Sequence, residues 1–283
     1  MKRTYRFTAS ALVLTLLSVN ACAQDVKVMI SGGFKAALEK LAPDYERRTG
    51  DKIVIIPGPS MGATPQAIPN RLARGEKADV VIMVGDALEK LEKAGQTQPG
   101  SRTELADSPV GMVVKKGADV PDISSEATLR NALLQASSIA YSDSASGRYV
   151  SQTLFKKMGI EKEVADKATM VERIPVASEV AKGKYAVGFQ QVSELLPIPG
   201  VDFVGEIPPP YQKVTTFSVG QAQSGKSPAA AQALVRFLTS PDFALYSIIG
   251  IATWKGWREG SLLQAEPVAL IAVADSDQPP RPQ

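Results

Sequence analysis

The sequence predicts an α/β protein built on doubly wound sheets. Three observations carry that reading. Short apolar runs of four or five residues alternate along the chain with stretches whose apolar residues recur at helical spacing. Glycine stands where several of those stretches stop. The 283 residues, 44% of them hydrophobic, also suffice for two domains of ordinary size, each with its own core.

Taken in order, residues 26–30 read as the first strand. Phe34, Ala37, Leu38, Leu41 and Tyr45 then follow helical spacing, with Pro43 expected to bend the helix and Gly50 to stop it. Residues 53–56 make the next strand; a helix interrupted by Pro69 is expected over 63–73, ending at Gly75. Residues 80–84 form a third strand and 86–94 a helix. Such βα units imply a parallel sheet. Beyond them, strands are expected at 110–114, 139–141, 185–189, 201–204 and 214–219. Helices are expected around 129–134, 148–158, Val180 and 228–238, followed by an apolar stretch at 243–249. The tail from about Glu266 ends in proline and polar residues and reads as frayed after Ser276.

The first 23 residues have the composition of a secretory signal: Lys2, Arg3 and Arg6, then an apolar run through Leu17, then Ala21-Cys22-Ala23 as an A-x-A cleavage site. The apolar core is shorter than the about 20 residues a membrane-spanning helix needs. Cleavage after Ala23 places the product in the periplasm. Cys22, the only cysteine, then leaves with the signal; the alternative is a lipidated N-terminus at Cys22, from which Asn20 detracts. Cleavage removes three of the 32 Lys+Arg and none of the 29 Asp+Glu, so the remainder is neutral and offers no electrostatic footprint for nucleic acid.

With no histidine and no cysteine after the signal, the chain lacks the residues for an imidazole- or thiolate-ligated metal site, a Ser-His-Asp triad or a cysteine nucleophile. No cofactor is expected. Catalysis, if present, runs on Asp, Glu, Lys, Tyr, Ser or water.

One stretch poses a chemical question. "SDSASGRYVSQ", residues 142–152, places Arg148 in the first turn of an expected helix. A helix N-terminus presents unpaired N–H groups and about half a positive charge, so an arginine there calls for a negative partner. That partner is either a protein carboxylate or a bound anion.

The order of segments resembles a known family. "VMISGGFKAALEKLAPDYERRTG", "GPSMG", "LARGEKADVVIM", "SASGRYVSQTLFKKMG", "YAVGFQQVSEL" and "SPAAAQALVRFLTSPDF" are similar, in order and spacing, to the periplasmic molybdate-binding proteins and the wider type 2 solute-binding fold. The resemblance covers most of residues 26–245. It implies two α/β lobes joined by two crossing strands, one lobe from residues 24–108 and 220–283 and the other from 109–219, with the ligand in the cleft between them. It also implies a monomer that delivers a small anion to an ABC transporter permease.

In that family hydroxyls and backbone N–H groups hold the anion. Carried over, the first contact falls on Ser31-Gly32-Gly33, where the family's usual serine is Gly33 here, and the second on Ser60-Met61. The third falls on Ala145-Ser146-Gly147, beside Arg148, and the fourth near Arg173; the family's tyrosine is Gln191 here. One hydroxyl is thus lost and two arginines are gained. A guanidinium matches a carboxylate bidentately, whereas neutral dipoles suffice for a tetrahedral oxyanion, so the departures point to a polycarboxylate.

Each of these residues also has a plain structural reading. Ser60 can cap the helix after it; Gly32-Gly33 can be a turn; Gln190-Gln191 can cap a short helix near Val192; either arginine can sit in a salt bridge. Met29, Met158 and Met170 read as core, residues 44–48 as a solvated helix face, and Trp254 and Trp257 as packing under the tail. Two functions remain. One is a binding protein for periplasmic uptake. The other is an enzyme similar to aconitate isomerase, which the resemblance places near the molybdate binders and which needs a base; Glu179, Glu194, Lys35 and Tyr149 are the candidates.

Overall fold

The computed structural model describes residues 23–240. The elements run in order β1 (Asp25–Ile30), α1 (Gly32–Thr49), β2 (Lys52–Pro57), α2 (Ile68–Ala73), β3 (Val80–Val84), α3 (Gly85–Lys93) and β4 (Thr103–Ser108). They continue as β5 (Val110–Lys115), α4 (Glu126–Gln135), β6 (Ile139–Ser142), α5 (Ala145–Tyr149), a wider helical turn Val150–Leu154, α6 (Phe155–Lys157), α7 (Glu161–Val164) and β7 (Ala168–Val171). The last are α8 (Val176–Ala181), β8 (Val187–Gln191), α9 (Val192–Leu195), β9 (Val201–Glu206), β10 (Thr215–Gln221) and α10 (Pro228–Thr239). The signal segment through Cys22, the stretch at 243–249, both tryptophans and the tail lie outside the described residues.

Two five-stranded sheets form, β2-β1-β3-β10-β4 and β7-β6-β8-β5-β9, flanked by helices as a two-lobed α/β fold. Each is a parallel trio extended by two antiparallel strands. β1 pairs in parallel with β2 and β3, while β10 is antiparallel to β3 and β4. In the second sheet β6 pairs in parallel with β7 and β8, while β5 is antiparallel to β8 and β9. The antiparallel strands are those that cross between lobes: β4 runs into β5 through Pro109, and β9 returns to β10. β3 is buried along its whole length, so both of its faces are covered and it reads as an unbroken apolar run.

Local chemistry explains the helix limits. Gly50 ends α1 in the left-handed region at φ 80°, its N–H bonded to Glu46 O, and the helix passes through Pro43 unbroken. α2 starts at Ile68 rather than near residue 63, because Pro69 is tolerated only in a first turn. Ser125 and Thr128 cap α4 reciprocally. The helix expected over 148–158 begins earlier, at Ala145, and widens after Tyr149 where Phe155 N–H reaches Val150 O.

Three expectations about packing need correction. Met170 is 47% exposed, because β7 is an edge strand, whereas Met29 and Met158 are buried as expected. Residues 44–48 are not one solvated face: Tyr45 and Asp44 are buried, with Asp44 paired to Arg47 and Arg48. Gln191 precedes α9, yet its side chain makes no cap.

A polar network ties the crossings together. Gln212 donates to Val110 O and Ile207 O and accepts from Val110 N–H, bracing one crossing against the other. Ser108 and Ser193 share a hydroxyl contact at 3.1 Å. Gln191, 2% exposed, bonds Thr215 Oγ1 at 2.9 Å. With its amide oxygen on that hydroxyl, its nitrogen donates to Ser108 O at 2.7 Å and Pro109 O at 3.2 Å.

Candidate functional site

The first wall of the cleft is built by β1, β3 and the loops that follow β1 and β2. Ser31 stands at the N-cap of α1, but its hydroxyl caps nothing. Its Oγ is buried and has no hydrogen-bond partner, in a residue 2% exposed. Leaving a buried hydroxyl unpaired costs about 1–3 kcal/mol. Ser60 is fully buried and accepts from Val84 N–H at 3.1 Å. That use of its oxygen leaves the hydroxyl proton available. Ser60 caps no helix, since α2 begins eight residues later with Ala67 at its cap.

The glycines of this wall are set by close approach. A Cβ on Gly33 would lie 2.1 Å from the Phe217 ring, so the serine of the related pattern has no room here. A Cβ on Gly32 would lie 1.9 Å from Glu194 Oε1, a carboxylate oxygen of the opposite lobe. Met61 packs against the first lobe's core, as does Ala145 from the other lobe.

The second wall centres on the turn between β6 and α5. Ser142 Oγ accepts from Gly147 N–H at 3.2 Å and shares a hydroxyl contact with Ser146 at 3.0 Å. Gly147 is obligatory, because a Cβ there would meet Ser142 O at 1.6 Å. The next residue, Arg148, is exposed, and its side chain pairs with no described carboxylate; its N–H bonds Ser144 O. Arg173 reaches the same turn by a different route: its N–H donates to Asp143 Oδ2 at 3.3 Å. It does so from a left-handed backbone, φ 67°, which a non-glycine residue adopts at some cost. The two arginines are thus fastened to one turn, each lacking an ion-pair partner among the described residues. The opposite lobe comes close as well, a Cβ on Gly62 lying 3.9 Å from Asp143 O.

Of the sequence-predicted residues, Gly32 approaches Glu194, Ser60 bonds Val84 at the end of β3, Met61 and Ala145 pack against the first lobe's core, Ser146 and Gly147 shape the turn into α5, Arg173 reaches that turn through Asp143, Ser31 is buried at the start of α1, and Arg148 is exposed on α5. Gly33 faces Phe217, and Gln191 belongs to the crossing-strand network.

The four candidate bases separate clearly. Glu179 is held by Lys182 and Lys184, which keep its carboxyl below the usual range. Lys35 pairs with Glu39 on α1. Tyr149 donates to Tyr211 O, and burial raises its phenol further. Glu194 is the one of the four that lies beside the other lobe, next to Gly32, and it accepts from Gln190 Nε2 at 2.9 Å. Burial pushes its carboxyl up to about 7; the Gln190 bond opposes that and the charge of Asp143 adds to it. Asp143 is itself raised, by burial first and by Glu172, against the Arg173 N–H and charge. Sequence reasoning does not single out Asp143, although it lies inside the stretch containing Arg148.

Among the described residues, no cluster of three or more His, Cys, Asp or Glu suits a metal ion, and no helix is long and apolar enough to cross a membrane.

Comparison with known proteins agrees with this architecture. The chain is 48% identical over 217 residues to an aconitate isomerase from a Pseudomonas species, covering 77% of this chain and 83% of that protein. It is 29% identical over 250 residues to the molybdate-binding protein ModA of Azotobacter vinelandii, covering 83% and 94% respectively. The solved structure of an Azotobacter vinelandii periplasmic molybdate-binding protein superposes with a TM-score of 0.63 at 21% identity, covering 81% of this chain and 98% of that one. A family model described as bacterial extracellular solute-binding protein matches residues 26–244, and the chain belongs to that family.

Proposed function

We propose that the cleft binds a tricarboxylate and that the protein isomerises it, moving a proton between the allylic carbons of aconitate. The observation that carries the carboxylate reading is the pair of arginines, Arg148 and Arg173, fastened to one turn with neither guanidinium in a salt bridge to a described carboxylate, Asp143 being the acidic neighbour of Arg173. A guanidinium outside any salt bridge can supply the planar, bidentate recognition that carboxylates take. Ser31, Ser60 and the first N–H groups of α1 and α5 add neutral donors for the remaining oxygens. The similarity to an aconitate isomerase supports turnover rather than capture alone.

The second reading is capture of the same anion for an ABC-type permease, and membership of a solute-binding family favours it. Both readings put the protein in the periplasm as a monomer with its signal removed after Ala23. Both also take one lobe from residues 24–108 and 220–283 and the other from 109–219. The deciding experiment incubates the purified protein with trans-aconitate, without added metal, and separates the isomers chromatographically. Catalytic formation of cis-aconitate is expected. Saturable binding of one ligand per chain with no conversion over hours would leave the capture reading. A thermal-shift series against molybdate, sulfate, citrate and both aconitates checks the ligand class, since a ligand at 100 times its Kd adds about 2.7 kcal/mol of stability. Molybdate as the strongest stabiliser would overturn the tricarboxylate.

A further inference from the structure

Glu194 is a group that anion binding alone leaves without a purpose. A carboxylate inside a cleft built for a multivalent anion weakens binding by like-charge repulsion. Yet this one is held in place from both lobes. α9 of the second lobe carries it, and its Oε1 packs so closely against Gly32 of the first that a Cβ there would lie 1.9 Å from it and the carboxylate would have to move aside. Its orientation is fixed in turn. Val176 N–H donates to Gln190 Oε1 at 2.8 Å, which obliges the amide nitrogen of Gln190 to face Glu194 Oε1 at 2.9 Å. The second carboxylate oxygen, Oε2, makes no hydrogen bond with a described residue.

We propose that Glu194 is the base that carries the proton between the two allylic carbons of the bound tricarboxylate, with Gln190 as its positioning residue. The inference rests on the isomerase reading and adds the group that performs it. The carboxylate takes a proton from the methylene carbon, and the C–H electron pair spreads across the former double bond toward the far allylic carbon. The carboxylic acid so formed gives the proton to that far carbon. The double bond then lies between the central carbon and the former methylene. Nothing is oxidised or reduced, and Glu194 ends as it began, a carboxylate.

The surroundings suit the task. The charged and polar groups around the carboxyl are Asp143 from the β6–α5 turn, with Arg173 beside it, Gln190 from β8, and the positive N-terminal end of α1. The nearest charged side chain of α1, Lys35, is engaged with Glu39. Burial and Asp143 favour the protonated form while Gln190 and the helix terminus favour the ionised one, and a base works best when its pKa lies near the working pH.

The test compares wild type with Glu194→Gln, which keeps the size of the side chain and an oxygen for the Gln190 amide. Turnover of trans-aconitate is expected to fall about 100- to 10,000-fold. Calorimetric binding of trans-aconitate should stay equal or tighten, since a negative charge has left the cleft. A variant within about threefold of wild-type kcat overturns the assignment while the isomerase reading stands. A wild type inert toward both aconitates overturns the two together. Should the variant not fold, the pH dependence of wild-type kcat decides instead. Activity should rise with pH along a limb centred near 7, and Asp143→Asn should move that limb downward by removing a negative neighbour. A limb near 4.5, or one that Asp143→Asn leaves unmoved, overturns the proposal.

Discussion

The two walls of the cleft are made of different chemistry. The wall from the first lobe, Ser31, Gly32, Ser60 and Met61, carries no ionisable side chain. The wall from the second lobe carries Asp143, Arg148, Arg173 and Glu194 within two neighbouring segments and one short helix. A neutral wall of hydroxyls and helix-end N–H groups holds an anion with little preference among oxyanions. A charged wall imposes geometry, and in the proposed reaction Glu194 would serve there as proton acceptor. On the proposed reading, the neutral wall would hold an anion and the charged wall would add geometry and a proton acceptor, so the two sides of the cleft would divide binding from selectivity.

The comparison breaks most visibly where the second wall is shaped. Gly147→Ala drives a methyl group into Ser142 O, an approach of 1.6 Å that backbone atoms cannot relieve. A loss of several kcal/mol of stability is expected, of the size seen for severe overpacking and strain, with the arginine-bearing turn disordered. Thermal denaturation checks it; a midpoint within a degree or two of wild type would show the turn to be adaptable.

Next in size is the anionic contact itself. Arg148→Ala should weaken binding of the tricarboxylate by about 1.5–3 kcal/mol, or about 10- to 150-fold, with little change in folding. Arg148→Lys keeps the charge and loses the planar fork, so a substantial loss there separates bidentate recognition from charge attraction. Calorimetric titration of both variants reads the effect, and unchanged affinity in both would remove the main support for a polycarboxylate.

A smaller effect concerns stability against pH. In the folded protein Glu194 holds its proton to about pH 7, whereas an unhindered glutamate releases it near 4.5. The folded state therefore binds more protons than the unfolded chain across that window, and this group's contribution turns against folding as pH rises through it. The penalty is complete above 7 and absent below 4.5. Glu194→Gln should accordingly raise the unfolding midpoint at pH 8 and leave it near wild type at pH 4, both measured without ligand. An equal shift at the two pH values would mean that the carboxyl titrates normally.

Much of this arrangement is legible in the sequence, and the exceptions share a cause. The parallel trio of the first sheet follows from β-branched runs such as that of β3 between helices that glycines close, at Gly50 and Gly75. β4 and β7 escape notice because they are edge strands: "TELADS" and "ATMV" have one neighbour each and need no continuous apolar face. In the site, Ser60 and Gly147 are visible as motif positions, since a loop that approaches a ligand or its own backbone restricts residue type locally. Glu194 could be named only as one of four candidates. What distinguishes it, contact with Gly32 across more than 160 residues of chain and an amide held by Val176, is tertiary and leaves no local pattern.

The smallest expected effect tests the neutral wall. Ser31 Oγ is buried and unpaired without ligand, so Ser31→Ala removes a group whose burial costs about 1–3 kcal/mol and leaves only a small void. The ligand-free variant should be as stable as wild type or slightly more so. If the hydroxyl serves the anion, the same change removes one hydrogen bond from the complex, about 0.5–1.5 kcal/mol, or about two- to twelvefold in affinity. The two readouts therefore move in opposite directions, which a merely structural serine would not produce. Loss of stability in the absence of ligand would show that Ser31 has a partner within the folded protein. Equal affinity in the two proteins would confine recognition to the charged wall.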